Sequence, residues 1–267
     1  MRGPAVSMKR SAMRLRYLFR FVFRAAVFAG VVLLYLLRPA SFAVAEAGGF
    51  FQRPGWLHLL WLIWLADMAA QLLPVRGLVA LGAQKYRAGR YLPSSPPPRR
   101  EELLAYIRRA DRGAGKVLAA WALAAAVLGL ARILGLVGAA ELLLCSVFFY
   151  VCDLICVLFW CPFRAWMMHN RCCADCRIFN WDHLMMFTPL AFAPSFYSWS
   201  LLLPAAAIVL LWEFSFRLHP ERFWPESNAA LRCGNCTERL CGRSYRALKK
   251  DSVSSSTRSG APGIERR

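Results

Sequence analysis

Acidic residues are scarce in this chain. Its 267 residues hold 15 Asp and Glu against 34 Lys and Arg, a formal charge of +19, and only four His. Charge of either sign is thin: 18% of residues are charged and 58% are apolar. An ordinary soluble domain runs at roughly 25% and 45–50%. That balance argues against a water-soluble enzyme. It also argues against disorder, because disordered chains have low hydrophobicity. A nucleic-acid-binding domain is disfavoured too, since the basic residues lie between apolar blocks and not on one soluble module. Catalytic signatures are missing as well. The chain has no Walker loop, no G-x-S-x-G, no H-E-x-x-H and no Rossmann fingerprint. No substrate class is legible.

What remains is very apolar and very basic, the composition of an all-α, polytopic integral membrane protein with basic cytoplasmic loops. Residues 1–24 carry seven basic residues and no acid. The apolar run from Ala25 reads as a first transmembrane helix. The rival is a cleaved signal peptide, because Ala43-Val44-Ala45 resembles a cleavage site. A second run spans Trp56–Leu73, so that 25–73 holds the first two helices. A third and fourth share the stretch of about 45 residues from Val117 to Cys161, where one span needs about 20. They break at Gly135–Glu141, and 117–163 is their block.

The last apolar stretch, 184–216, contains Pro189, Pro194 and Pro204. As one helix it would be roughly 50 Å long, against a hydrocarbon core of about 30 Å. It reads instead as a short helical hairpin, either two full spans or one span with a re-entrant arm, which brings the count to about six spans. Charge supports this. The loop 74–116 and the region beyond Arg217 are rich in Lys and Arg, which gather in the cytoplasm. A hairpin puts the N-terminus, that loop and the C-terminus all inside a cell membrane. Within the loop, Pro98–Gly113 reads as a separate short helix, with Glu101 and Glu102 in its first turn and Arg108, Arg109 and Arg112 in its last. It would lie on the leaflet or on the protein's own loops. The implied partners are the bilayer, anionic lipids at the basic loops and other membrane proteins, with no specific nucleic acid. Residues 251–267 read as disordered.

Ten cysteines fall into two populations. Cys145, Cys152, Cys156 and Cys161 lie on or after the fourth helix and read as small hydrophobes at helix interfaces. Six others form two clusters outside the hairpin: Cys172, Cys173 and Cys176 in 164–183, and Cys233, Cys236 and Cys241 in 217–250. Cys173/Cys176 and Cys233/Cys236 are C-x-x-C pairs. Two such pairs supply four thiolates, a tetrahedral set. The hairpin would return both to one membrane face, where they could hold a shared zinc ion or iron–sulfur cluster. Zinc is ahead on the pairing pattern. Disulfides are the rival, disfavoured in a reducing cytosol.

Asp182 and His183 open the hairpin, and His219 and Glu221 follow it. These four are candidates to support the metal or carry protons, or else they cap helix ends. Asp67 and Asp153 fall at membrane depth, where an acid is by default a functional candidate. Asp67 could line a proton path or merely pair with Arg132. Three functions stay open: a structural or accessory membrane subunit with a metal site, an iron–sulfur redox protein, and an ion- or proton-coupled transporter.

Overall fold

The computed structural model describes residues 11–45, 49–52, 54–73, 77–170, 172–232, 235, 236, 238 and 240. Cys233, Cys241 and the 251–267 tail lie outside them. The described residues are helical, with no strand and one isolated bridge between Pro93 and Asn228.

Six helices organise the chain. Helix α1 runs Ala12–Leu37, and α2 runs Trp56–Leu72. Helix α3 is Arg100–Ile133 and α4 is Ala139–Leu158. The short α5 is Asp182–Phe187, and α6 is Phe196–Leu218. Their ends follow from local chemistry. Ser11 caps α1 by accepting the Arg14 N–H at 3.1 Å, and Arg38-Pro39 ends the helix, because a residue before proline is pushed off helical backbone. Glu102 closes α3 by accepting the Arg99 N–H at 3.1 Å. Glu141 does the same for α4 on the Gly138 N–H at 2.6 Å. Between α3 and α4, Gly135 takes φ +71°, the left-handed backbone that glycine adopts without strain.

Among the described residues, four helices are long and apolar enough to cross a bilayer: α1, α3, α4 and α6. Helix α2 is apolar but has 17 residues. Their outer faces expose large apolar side chains such as Phe19, Leu123 and Phe214. The helices pack in alternating directions. Along α1 and α4 the contacts Phe21–Phe159, Arg24–Asp153, Phe28–Phe148 and Tyr35–Glu141 run antiparallel. Helices α2 and α6 run the same way, with Tyr197 on the Leu57 carbonyl and Trp61 on Ser200. One end of the bundle therefore gathers the start of α1, the end of α2, the start of α3 and the ends of α4 and α6. It carries most of the basic residues and is called the basic end below.

Three expectations change. The helix boundary at residue 24 moves, because α1 begins at Ala12, inside the basic segment. The separate helix Pro98–Gly113 does not exist: α3 continues unbroken to Ile133. Gly113 is no stop. A Cβ there would sit 2.8 Å from the Met168 sulfur, so glycine lets the π-helix Phe163–Met168 approach α3. The hairpin forms, but its first arm is not an α-helical span. Helix α5 passes into a 3₁₀ segment, Thr188–Phe192. The tighter coil rises about 2.0 Å per residue, so a short segment reaches from the basic end to the start of α4, where Ala193 packs on Ala139 and Leu142.

Candidate functional site

The site lies at the basic end, around the first cysteine cluster. Residues 172–176 form a tight turn. Asp175 accepts the Cys172 N–H at 3.2 Å, and the Cys176 N–H binds the Cys173 carbonyl at 3.0 Å. The Cys172 sulfur accepts the Ala174 N–H at 3.4 Å. The turn is docked on residues 81–85. Gly82 has no side chain where a Cβ would lie 2.9 Å from the Ala174 Cα. Lys85, fully buried, donates to the Ala174 carbonyl at 2.9 Å and the Cys176 carbonyl at 2.7 Å. Its ammonium also lies 5.3 Å from the Trp212 ring and 5.4 Å from Phe223. Burial pulls the Lys85 amine down to about 8.

The second cysteine segment rests on the same platform. Glu238 accepts the Leu81 N–H at 2.8 Å, and its carbonyl accepts the Ser11 hydroxyl. Leu240 packs with Met13, Tyr17, Leu154 and Leu158. Cys236 is half-buried there. Ala174 thus packs on Gly82 and Glu238 binds the adjacent Leu81. Among the described residues no group of three or more His, Cys, Asp and Glu side chains is spaced to hold a metal ion.

Cys173 and Cys176 line a cavity of about 130 Å³. Cys152, Cys156 and Cys161, from the end of α4, line it too, with Met185 and Met186. Cysteines that read as interface hydrophobes therefore share a wall with the loop cysteines. The Cys173 thiol donates to the Cys156 carbonyl at 3.5 Å, and the Arg164 guanidinium reaches its sulfur at 3.5 Å. The Cys161 sulfur accepts the Arg164 N–H at 3.4 Å. Burial pushes Cys173 up to about 12 and Cys176 up to about 11. The neighbouring Cys156 thiol holds Cys161 below the ordinary thiol value, helped by the Arg164 and Phe163 N–H groups.

A second cavity, about 30 Å³, lies beside the first. That is room for one or two waters. Arg24 organises it. Its guanidinium binds Asp67 at 3.0 Å, Asp153 at 2.7 Å and the Tyr150 carbonyl at 2.9 Å. It also stacks 3.9 Å from the Tyr150 ring centroid, while the Tyr150 hydroxyl donates to Asp67 at 2.7 Å. Asp182 accepts from Gln71 at 2.9 Å, and His183 lies 3.3 Å from it. His183 is 3% exposed and neither ring nitrogen makes a hydrogen bond. Asp153 and Asp182 line both cavities.

Two sequence expectations are redrawn. Asp67 does not pair with Arg132, which instead donates to the Val137 carbonyl at the opposite end of the bundle. Helix α1 supplies the cation, because its antiparallel register with α4 sets Arg24 level with Asp153. Asp182 and His183 join the Arg24 cavity, whereas His219 pairs with its neighbour Glu221 at 3.2 Å beyond the end of α6. The closing contact of the hairpin is different. Arg177 grips Glu213 with both guanidinium nitrogens, Trp181 donates to the same carboxylate at 2.8 Å, and Trp212 donates to the Arg177 carbonyl at 2.7 Å.

Sequence reasoning missed Arg24, Arg177 and Lys85. Arg24 carried a signal: two acids placed at depth need a cation, and Arg24 directly precedes the first apolar run. Lys85 carried none. No protein-family model matches the chain, and neither does any curated protein or solved structure.

Proposed function

We propose that this is an integral membrane protein with its basic end in the cytoplasm. In this reading its two cysteine segments hold one metal centre that clamps the hairpin to the rest of the bundle. Its role is that of a structural or accessory membrane subunit. The observation behind this reading is the shared platform: Ala174 of the first cysteine turn packs on Gly82, and Glu238, close in sequence to Cys236, accepts the Leu81 N–H. The candidate ligands are Cys172, Cys173, Cys176, Cys233, Cys236 and Cys241. The donor chemistry suits a soft ion. Buried thiols held protonated by desolvation lose their protons to a bound dication, and the Ala174 N–H on the Cys172 sulfur suits a thiolate. Zinc is preferred over an iron–sulfur cluster on the paired spacing.

Orientation follows from charge. Of the connections at the end opposite the basic one, 134–138 and 193–195 contain no Lys or Arg and 38–55 contains two, Arg38 and Arg53, the low count expected of external loops. The basic first turns of α1 face the inner headgroups and favour anionic lipid.

Anaerobic purification followed by elemental analysis tests the centre. One zinc per chain, or iron with acid-labile sulfide and visible absorbance, is the expected result. Cys173→Ser and Cys236→Ser should each remove the whole metal. Separate halves lost from the two clusters would mean two sites, and a metal-free wild-type protein would end the proposal.

A further inference from the structure

Helix α3 has a charged face without counter-charge. Arg108, Arg112 and Lys116 recur every four residues, with Arg109 beside them, and all four are exposed. Helical spacing sets them on one side. The one acid on α3 beyond its first turn, Asp111, is taken by Arg177 and Arg217. Among the described residues no carboxylate lies within ion-pair distance of the four cations. The same face continues into the span. Ala119, Leu123, Val127 and Leu130 follow at steps of three and four, and the last three are 68%, 60% and 57% exposed.

We infer that this face is a docking strip for an inner-leaflet phospholipid with two phosphates in its headgroup. The phosphates sit on Arg108, Arg109, Arg112 and Lys116, and the acyl chains lie along Leu123, Val127 and Leu130. The inference rests on the membrane reading above and not on the metal centre.

The first support is depth. Asp111 meets Arg217, in the last turn of α6, at 3.2 Å. The four cations on either side of Asp111 are therefore level with the end of a neighbouring span. The π-helix Phe163–Met168 packs on α3 at Gly113, at the same level. It carries Trp166, and Trp160 lies just before it. Their rings are 5.2 Å apart and 66% and 48% exposed. Exposed tryptophans belong at the headgroup boundary.

The second support is charge complementarity. Guanidinium groups pair with phosphate oxygens in bidentate fashion, and Arg108 and Lys116 lie about 12 Å apart along the helix. Two phosphates cover that length and one does not. The other occupants fit less well. Copies of this chain in one membrane share an orientation, so pairing two such faces would set four cations against four. A soluble acidic protein would meet the cations but not Leu123, Val127 or Leu130 inside the bilayer. A ligand that meets both parts of the strip has anionic charge at one end and hydrocarbon at the other.

The test mixes the full chain in detergent with tetraoleoyl cardiolipin, dioleoyl phosphatidylglycerol or dioleoyl phosphatidylcholine, and reads bound lipid by native mass spectrometry. Expected is one cardiolipin per chain, held about tenfold or more tighter than the single-phosphate anionic lipid, with phosphatidylcholine not retained. Each cation near an anionic surface is worth about fivefold in affinity, so Arg108→Gln with Arg112→Gln should weaken cardiolipin about 25-fold. Arg14→Gln with Arg20→Gln, the same charge change on α1 at the same end of the bundle, should stay close to wild type. The comparison of lipids on wild type does not depend on any variant folding. Equal retention of the two anionic lipids overturns the inference. So does an equal loss in the α1 variant, or displacement of cardiolipin by equimolar inorganic pyrophosphate. Carbonate extraction of membranes separates the two readings. A chain released by carbonate would fail the membrane reading and this inference with it. A carbonate-resistant chain that retains no cardiolipin fails this inference alone.

Discussion

Arg24 is one side chain that ties three helices. Its side chain is 7% exposed and its two carboxylate partners 23% and 22%. Removing one member of a buried ion pair leaves the others desolvated and unpaired, typically a loss of about 3–5 kcal/mol. Arg24→Leu should therefore destabilise the protein by that order in a detergent unfolding titration. Adding Asp67→Asn and Asp153→Asn should recover much of the loss, because no net charge then stays buried. A double variant without Arg24→Leu should be worse than the triple. The same network weighs against a transport path through Asp67, since Arg24 and Tyr150 already occupy that carboxylate. Lys85 acts differently. Lys85→Met would strand the buried carbonyls of Ala174 and Cys176, at about 1–3 kcal/mol for a lost buried partner. Thermal unfolding should show a fall of that size. At this scale the sequence was half legible. Asp67 and Asp153 stand out because acids are rare in apolar runs. Their partner could not be read, since one sequence does not say which helices lie side by side. Lys85, in an ordinary Gly-Ala-Gln-Lys-Tyr-Arg stretch, has nothing to mark its burial.

Among elements, the turn at residues 81–85 matters beyond its length, because both cysteine segments dock on it. Gly82→Ala places a methyl 2.9 Å from a backbone atom, the Ala174 Cα, and not from a flexible side-chain tip. Either the turn or the cysteine loop must move. The variant should lose stability and bind metal more weakly, read as a lower metal-to-protein ratio after dialysis. Gly89→Ala, with open space around its Cβ, should behave as wild type. The long apolar runs and the hairpin were legible because length against bilayer thickness is simple arithmetic. The continuity of α3 was not. A glycine after three arginines imitates a helix end, and only the Met168 contact shows why Gly113 is there. The 3₁₀ arm was hidden for a similar reason. Its proline and aromatic residues suit a turn, and the need to reach Ala139 within few residues is a tertiary demand. That the α4 cysteines share a cavity wall with Cys173 and Cys176 was not legible, because those two come from a loop beyond the helix.

For the whole molecule, the alternating helix directions put residues 95, 177 and 238 at one end and 135 and 194 at the other. A reporter inserted near Ser95 should read cytoplasmic, as should one fused after Arg267, and one inserted at Gly135 should read external. A C-terminus on the opposite side from Ser95 would be incompatible with the hairpin. Membrane class and charge asymmetry were plain from composition, whereas the depth and shape of the two cavities were not, because they depend on side chains from α1, α2, α4 and α5 meeting at one level. The Arg24 network also has a meaning for synthesis. Helix α1 leaves the ribosome carrying four arginines and no acid, and an arginine as central in a lone span as Arg24 opposes insertion by about 2.5–3.5 kcal/mol. Asp67 emerges 43 residues later, and Asp153 not until 129 residues later. Chain order thus makes α2 the first mate available to α1 while translation continues. Helix α4 arrives at a guanidinium already half satisfied, and seating it completes the neutralisation. The growing chain therefore carries an insertion checkpoint: until α4 is in place, α1 remains the helix most easily lost from the membrane.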